Sequence, residues 1–208
     1  TNLNCHEFKC KDPKCLRDKK PALVYIYDPN EARESKVKRD KDVFGSDDVS
    51  SLMGFVHCFH MAAEDRELAE YKRTYGTKLP ALVFLSPTGS TVQVVQGELK
   101  QADVLAGFDK VFTNCFSMDM KSHLVKYSEV LKKLEKCEDD YVVATRRVYE
   151  LEAEAAKGES TAMTKLADAK AKRDATAKEF ATIEKERMGL TMLKIVNADA
   201  NKASASAK

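Results

Sequence analysis

The sequence predicts an α/β domain with a mixed sheet and flanking helices, followed by a long antiparallel α-helical hairpin that forms a coiled coil. All five prolines and six of the eight glycines precede residue 117, and the remainder is rich in Ala, Lys, Glu and Leu. Because Pro and Gly interrupt regular structure, this change in composition separates two architectures. The predicted division is a Cys-rich N-terminal arm at 1–19, the α/β domain at 20–116, the hairpin at 117–196 and a flexible tail at 197–208.

Strand and helix patterns alternate within the α/β domain. Ala22–Tyr27 is a β-branched and aromatic run between prolines, which is typical of a strand covered on both faces. Ser46 precedes two aspartates and is well placed to cap a short helix. The later patterns predict a strand at 55–61, a helix at 64–75, strands at 81–85 and 91–95, and a helix at 101–112. The predicted order is therefore βα, βα, ββα.

Two long helices account for the hairpin. Their apolar residues recur mostly at intervals of three and four, which places them along one seam of each helix. The predicted first seam is Leu124, Tyr127, Leu131, Leu134, Cys137, Tyr141, Ala144, Val148, Leu151 and Ala155, and the second is Met163, Leu166, Ala169, Ala177, Phe180, Ile183 and Leu190. Lys170 and Arg173 interrupt the second seam. A partner helix or a second copy of the chain could cover what the hairpin leaves exposed.

Charge and hydropathy exclude two classes of partner. The chain has 35 basic and 33 acidic residues, a net charge of +2, so no basic field would concentrate nucleic acid. No apolar run approaches the roughly 18 residues needed to span a bilayer, so no membrane span is predicted. The charged segment at 31–42 nearly balances its own charges and predicts a solvated helix face.

Six cysteines bear on compartment and chemistry. Cys5, Cys10 and Cys15 lie close together in the N-terminal arm, and Cys115 and Cys137 are further candidates for disulfides or free thiols. The pattern allows three roles for the arm: structural disulfides, free thiols or a metal clip that includes His6. Disulfides would suit a periplasmic or secreted location, with the cytoplasm as the alternative.

The α/β domain resembles the thioredoxin-like superfamily over roughly residues 20–116. The resemblance is carried by KPALVYIY at 20–27, YGTKLPALVFL at 75–85 and PTG at 87–89. It implies that a cis peptide bond precedes Pro80 and that the Leu79 backbone can pair with an extended partner chain beside the active-site position.

Redox members of that family need a pair of thiols at the start of the helix that follows the first of these strands. Residues 28–34 occupy the corresponding loop here and contain no cysteine. Asn30 and Arg33 are the best matches to the two replaced positions, so the loop is interpreted as a degenerate active site. Dithiol exchange by the usual route is not expected.

The sequence therefore predicts a redox-inactive thioredoxin-like protein, a structural or assembly module that binds a protein partner or a second copy through its hairpin. No catalytic residue, cofactor or metal site is assigned. Two alternatives stay open. One is a thiol-disulfide oxidoreductase or thiol sensor that uses the N-terminal cysteines, and the other is a metal-binding module on the same arm.

Overall fold

The computed structural model describes residues 6–7, 20–62 and 78–197. The chain divides into two compact units, Thr1–Leu124 with Leu193–Lys208, and Val125–Met192. The described strands of the first unit are β1 His6–Glu7, β2 Ala22–Tyr27, β3 His57–Ala62, β4 Ala81–Leu85 and β5 Thr91–Gln96. Its helices are α1 Arg33–Arg39, α2 Asp47–Met53 and α3 Gln101–Val111, with π-helical turns at Asp40–Phe44 and Phe112–Phe116.

The described strands form one five-stranded mixed sheet in the order β1-β3-β2-β4-β5. Strand β3 runs parallel to both β1 and β2, whereas β4 is antiparallel to β2 and to β5. This order, with helices between the strands, is the thioredoxin-like arrangement, and it confirms the predicted fold class. Strand β1 was not predicted, because two residues are too few to show an alternating pattern. The predicted helix at 64–75 lies outside the described residues.

The centre of the sheet is buried because its strands are apolar on both faces. Val24 of β2 is in register with Val83 of β4, and both are fully buried. Helix α3 packs on this sheet at Gly107, where an added Cβ would overlap the ring of Phe84. The Phe84 ring in turn packs edge to face against the ring of Phe108, with 5.2 Å between the two ring centres. The close approach of α3 to β4 therefore requires glycine at position 107.

Helix α2 begins as the sequence predicts. The Ser46 side chain accepts a hydrogen bond from the Val49 backbone N–H at 3.4 Å, and Asp47 and Asp48 lie in the first turn. Both features stabilise the positive end of a helix. The cap fixes the start of α2 and with it the position of the buried Val49.

The hairpin consists of α4 Met120–Ala156 and α5 Ser160–Thr191. The Cys137 thiol donates to the Thr176 carbonyl at 3.5 Å, and Lys170 pairs with Glu152 at 2.8 Å. Residues further along α4 thus meet residues earlier in α5, so the two helices are antiparallel. Of the predicted first seam, Tyr127, Cys137, Ala144, Val148 and Leu151 are buried, whereas Tyr141 is 38% exposed. Val130 is also buried, and the predicted Leu131 beside it is half-buried.

The predicted second seam is wrong in its register over part of α5. Met163 is 67% exposed and Ala177 is also exposed. The structure shows a seam of buried and half-buried residues at alternating intervals of four and three: Ala162, Leu166, Ala169, Arg173, Thr176, Phe180, Ile183, Arg187 and Leu190. Arginine can occupy such positions because its aliphatic stem packs while its guanidinium reaches the surface. Arg173 and Arg187 do so by binding Asp174 and Glu184.

Among the residues that the structure describes, no helix combines the length and apolar character needed to cross a bilayer.

Candidate functional site

Two hydrogen bonds to Asp28 stabilise the loop between β2 and α1. The Asn30 N–H donates to the Asp28 side chain at 2.9 Å, and the Glu31 N–H donates to the Asp28 carbonyl at 3.2 Å. This is the local bonding that aspartate favours at a turn. Asn30 is exposed, and Arg33 is the exposed first residue of α1. Their interpretation as the replaced redox positions stays a prediction.

A groove lies beside this loop, next to Pro80. The Leu79–Pro80 peptide bond is cis, and the Pro80 carbonyl accepts a hydrogen bond from the Gly97 N–H at 2.9 Å. The groove has a volume of about 500 Å³. Its lining residues are Glu31, Ser35, Lys38, Arg39, Asp42, Val43, Leu79, Pro80, Gly97, Glu98, Leu99, Lys100 and Gln101. None of these lining residues is a cysteine, and neither Asn30 nor Arg33 is among them. Pairing of the Leu79 backbone with a partner chain remains a prediction.

An ion pair between Glu31 and Arg39 forms part of the groove. Two hydrogen bonds of 2.6 Å join the Arg39 guanidinium to the two carboxylate oxygens of Glu31. The Arg39 side chain is only 8% exposed, and its guanidinium lies 5.5 Å from the centre of the Tyr25 ring. The hydrogen bonds from Arg39 hold the pKa of Glu31 below its usual value. Glu31 is therefore a carboxylate at neutral pH, and the pair is fully charged.

Two polar atoms around this ion pair, Arg39 Nε and Asp40 Oδ1, are buried and lack a hydrogen-bond partner within the described structure. Burial raises the pKa of Tyr25 to about 12, so its hydroxyl is neutral. Buried donors and acceptors are normally satisfied. The ion pair thus leaves one N–H of the Arg39 guanidinium unused.

The burial of Arg39 corrects the prediction that residues 31–42 form a solvated helix face. Most of the segment is exposed, but Arg39 is not. Its partner, Glu31, lies eight positions earlier and outside α1, so the pair does not follow the helical spacing of three or four that sequence analysis looks for. The alternating charges of this segment therefore gave no sign that the Glu31–Arg39 ion pair is buried.

The candidate cysteines fall into two groups. Cys115 and Cys137 are buried free thiols. Burial raises the pKa of Cys115 to about 11, and burial together with the nearby Glu179 and Asp140 raises the pKa of Cys137. A thiol of raised pKa is a poor nucleophile at neutral pH. Cys5, Cys10 and Cys15 lie outside the described residues.

Metal ligands do not cluster in the described part of the chain. Within residues 6–7, 20–62 and 78–197, no group of three or more His, Cys, Asp or Glu side chains is arranged to hold a metal ion. The proposal of a metal clip rests on the arm alone, at Cys5, His6, Cys10 and Cys15.

The strand order and helices of the first unit form a thioredoxin-like fold. A scan against protein-family models and a search of curated proteins gave no match. The solution structure of a thioredoxin from Thermus thermophilus is 21% identical, with 44% of this chain and 73% of that chain covered and a TM-score of 0.37. A DsbH oxidoreductase is 17% identical, with 53% and 85% covered and a TM-score of 0.42.

Proposed function

We propose that this chain is a redox-inactive thioredoxin-like protein that serves as a structural or assembly module and binds another protein, or a second copy of itself, through its helical hairpin. The single observation that carries the first half of this proposal is the composition of the groove beside cis-Pro80. Thiol exchange needs a thiolate at this position and a second thiol close by. The described lining offers instead an ion pair between Glu31 and Arg39, whose two charges balance each other.

The surface of the hairpin supports the second half. Val142 and Tyr149 of α4 are 52% and 68% exposed. They are seven positions apart, so they lie on the same side of that helix. Grouped large apolar side chains on a surface are typical of interaction sites. The proposed contact therefore centres on this side of α4.

The proposed lack of redox activity is tested by counting thiols and measuring disulfide reduction on the same sample. The native protein is titrated with a thiol reagent with and without prior reduction, and its reduction of insulin disulfides is compared with that of an active thioredoxin. We expect insulin reduction at the uncatalysed rate. A rate near that of the active enzyme would reject the proposal.

The assembly half is tested by light scattering over a range of protein concentrations, with the wild type beside a Val142→Lys, Tyr149→Lys variant. Two charges placed in an apolar contact should abolish association, because each would be desolvated without a partner. The matched control is Val37→Lys, which adds a lysine at an exposed valine of α1. A wild type that is monomeric at every concentration would reject self-association. If a purified binding partner has the same affinity for the wild type and the double variant, this surface is not its binding site.

The oxidoreductase or thiol-sensor alternative places the chemistry on Cys5, Cys10 or Cys15. If it holds, insulin reduction is measurable and disappears when these three cysteines are replaced by serine. The metal-binding alternative predicts bound metal in the unreduced protein that the same variant loses. A periplasmic or secreted location belongs to the proposal as well, and it predicts that two of the three arm cysteines form a disulfide in the native protein.

A further inference from the structure

Helix α4 carries a stripe of exposed side chains beside the seam that faces α5. Its members recur at intervals of three and four, so they lie along one side of the helix. From the N-terminal end the stripe consists of Glu135, Glu138, Val142, Arg146 and Tyr149, and all five are exposed. The hairpin therefore leaves this stripe free to contact another molecule.

The spacing of the stripe is the same in both directions from its centre. Glu138 and Arg146 lie four positions to either side of Val142, and Glu135 and Tyr149 lie seven positions to either side. If two copies of α4 cross antiparallel at Val142, each position of the stripe meets the mirror position of the other copy. This is the self-complementary contact of a two-fold dimer.

The charges of the stripe are complementary under this symmetry. Glu138 of one copy meets Arg146 of the other, and the two-fold axis forms that ion pair twice. Glu135 meets Tyr149, whose hydroxyl can donate a hydrogen bond to a carboxylate. A parallel pair in register would instead place each charge against its own copy. Because like charges in contact oppose association, the antiparallel arrangement is favoured.

The charges of the stripe are not used within the chain itself. Among the residues that the structure describes, Glu138 and Arg146 form no ion pair with another side chain. Glu135 and Glu138 are three positions apart, so they repel each other on an isolated helix. A second copy offsets this repulsion, because it brings a guanidinium to the acidic half of the stripe and covers Val142 at its centre.

The positions beyond the stripe continue the same symmetry without opposing it. Leu131 is symmetric with Ala153, and Ser128 is symmetric with Ala156. All four are uncharged, and three of them are small, so they allow two helices to approach closely. The contact would then extend for about 42 Å along α4, at about 1.5 Å per residue.

We propose that two copies of this chain associate through α4, antiparallel and two-fold symmetric about Val142, with Glu138 of each copy paired to Arg146 of the other. This inference rests on the proposed function, in which the hairpin binds a protein, and it identifies that protein as a second copy. All of the residues that carry it belong to the second compact unit.

The test is a charge swap on the full chain, with the dissociation constant of the dimer measured by sedimentation velocity over a range of concentrations. Arg146→Glu and Glu138→Arg should each weaken association by about tenfold or more, because each turns two attractive contacts into repulsive ones. The double variant Glu138→Arg, Arg146→Glu restores both pairs with their charges exchanged. Its dissociation constant should return to within about threefold of the wild-type value.

The matched control is Lys178→Glu, which makes the same change of charge at an exposed lysine of α5 and should leave association unchanged. Equal losses in this control and in Arg146→Glu would overturn the inference, since they would show a general effect of net charge. A dimer unaffected by the single changes would overturn the antiparallel contact but leave self-association standing. A strictly monomeric wild type would overturn the inference and leave only a different protein as the partner of the hairpin. A limiting mass above two copies would also contradict it, because a two-fold contact closes at two.

Discussion

Gly107→Ala tests the close approach of α3 to β4 at the Phe84 ring. In an exposed helix this change is stabilising by about 1 kcal/mol, because alanine has the higher helix propensity. Here the new methyl would overlap three atoms of the Phe84 ring, and the ring cannot move away because it is fully buried against Phe108. Overpacking typically costs about 1 to 3 kcal/mol, and an overlap with a confined ring belongs at the upper end. The expected net loss is about 2 kcal/mol.

Native-state hydrogen exchange measures this change in each unit separately. Gly107→Ala should lower the protection of the β4 amides. The matched control is Gly189→Ala in α5, where an added Cβ meets nothing within 4 Å. In this variant the opening free energy of the α5 amides should rise by about 0.5 to 1 kcal/mol. If both variants stabilise their units equally, the close packing of α3 on Phe84 is refuted.

A double-mutant cycle tests whether the Phe84 ring is the cause. Phe84→Leu alone removes ring atoms and should cost about 1 to 2 kcal/mol. In that background Gly107→Ala should cost much less, which gives a coupling free energy of about 1 to 2 kcal/mol between the two positions. Strict additivity would mean that the loss at Gly107 has another origin.

Three further predictions concern the thiols, the hairpin and the ion pair. Cys115 should react with a thiol reagent about a hundredfold or more slowly in the native than in the urea-unfolded protein, because it is fully buried and its pKa is raised to about 11. Ile183→Ala should destabilise the hairpin by about 2 to 4 kcal/mol in thermal circular dichroism, whereas Met163→Ala should change it by about 0.5 kcal/mol or less. Finally, Glu31→Gln should destabilise the first unit near neutral pH but not in acid.

The fold of the first unit was predictable because its signals are local. A buried β2, a capped α2 and the turn between β4 and β5 each leave a pattern within a few consecutive residues. The spacing of these elements then resembles one known family. Strand β1 was missed for the opposite reason, since its two residues pair with β3 about fifty positions away and carry no pattern of their own.

The groove was predictable only in outline. Pro80 and the loop without cysteine can be read from the sequence, but the Glu31–Arg39 pair cannot, because it joins a loop to the last residue of a short helix. The register of α5 shows the same limit. Arg173 and Arg187 occupy seam positions that an apolar pattern assigns to hydrophobic residues, and only their partial burial in the structure identifies them as seam residues.

The pH dependence of Glu31→Gln follows from the direction of the pKa shift. The hydrogen bonds from Arg39 lower the pKa of Glu31 in the folded state relative to the unfolded chain. A depressed carboxyl pKa contributes stability above the unfolded value, about 4.3, and that contribution is lost as pH falls through the folded pKa. The variant should therefore cost about 2 to 4 kcal/mol at neutral pH, because it leaves the buried Arg39 without its counter-charge, and the difference from wild type should close in acid.

Urea unfolding of wild type and variant near pH 7 and near pH 3 measures this difference. The matched control is Glu184→Gln, which removes the carboxylate of the more exposed pair with Arg187, 31% and 33% exposed, and should cost much less than Glu31→Gln. If the two variants lose the same small amount, the Glu31–Arg39 pair is an ordinary surface contact. If the loss at Glu31 persists undiminished in acid, it arises from packing, and the charge of the pair does not hold the groove together.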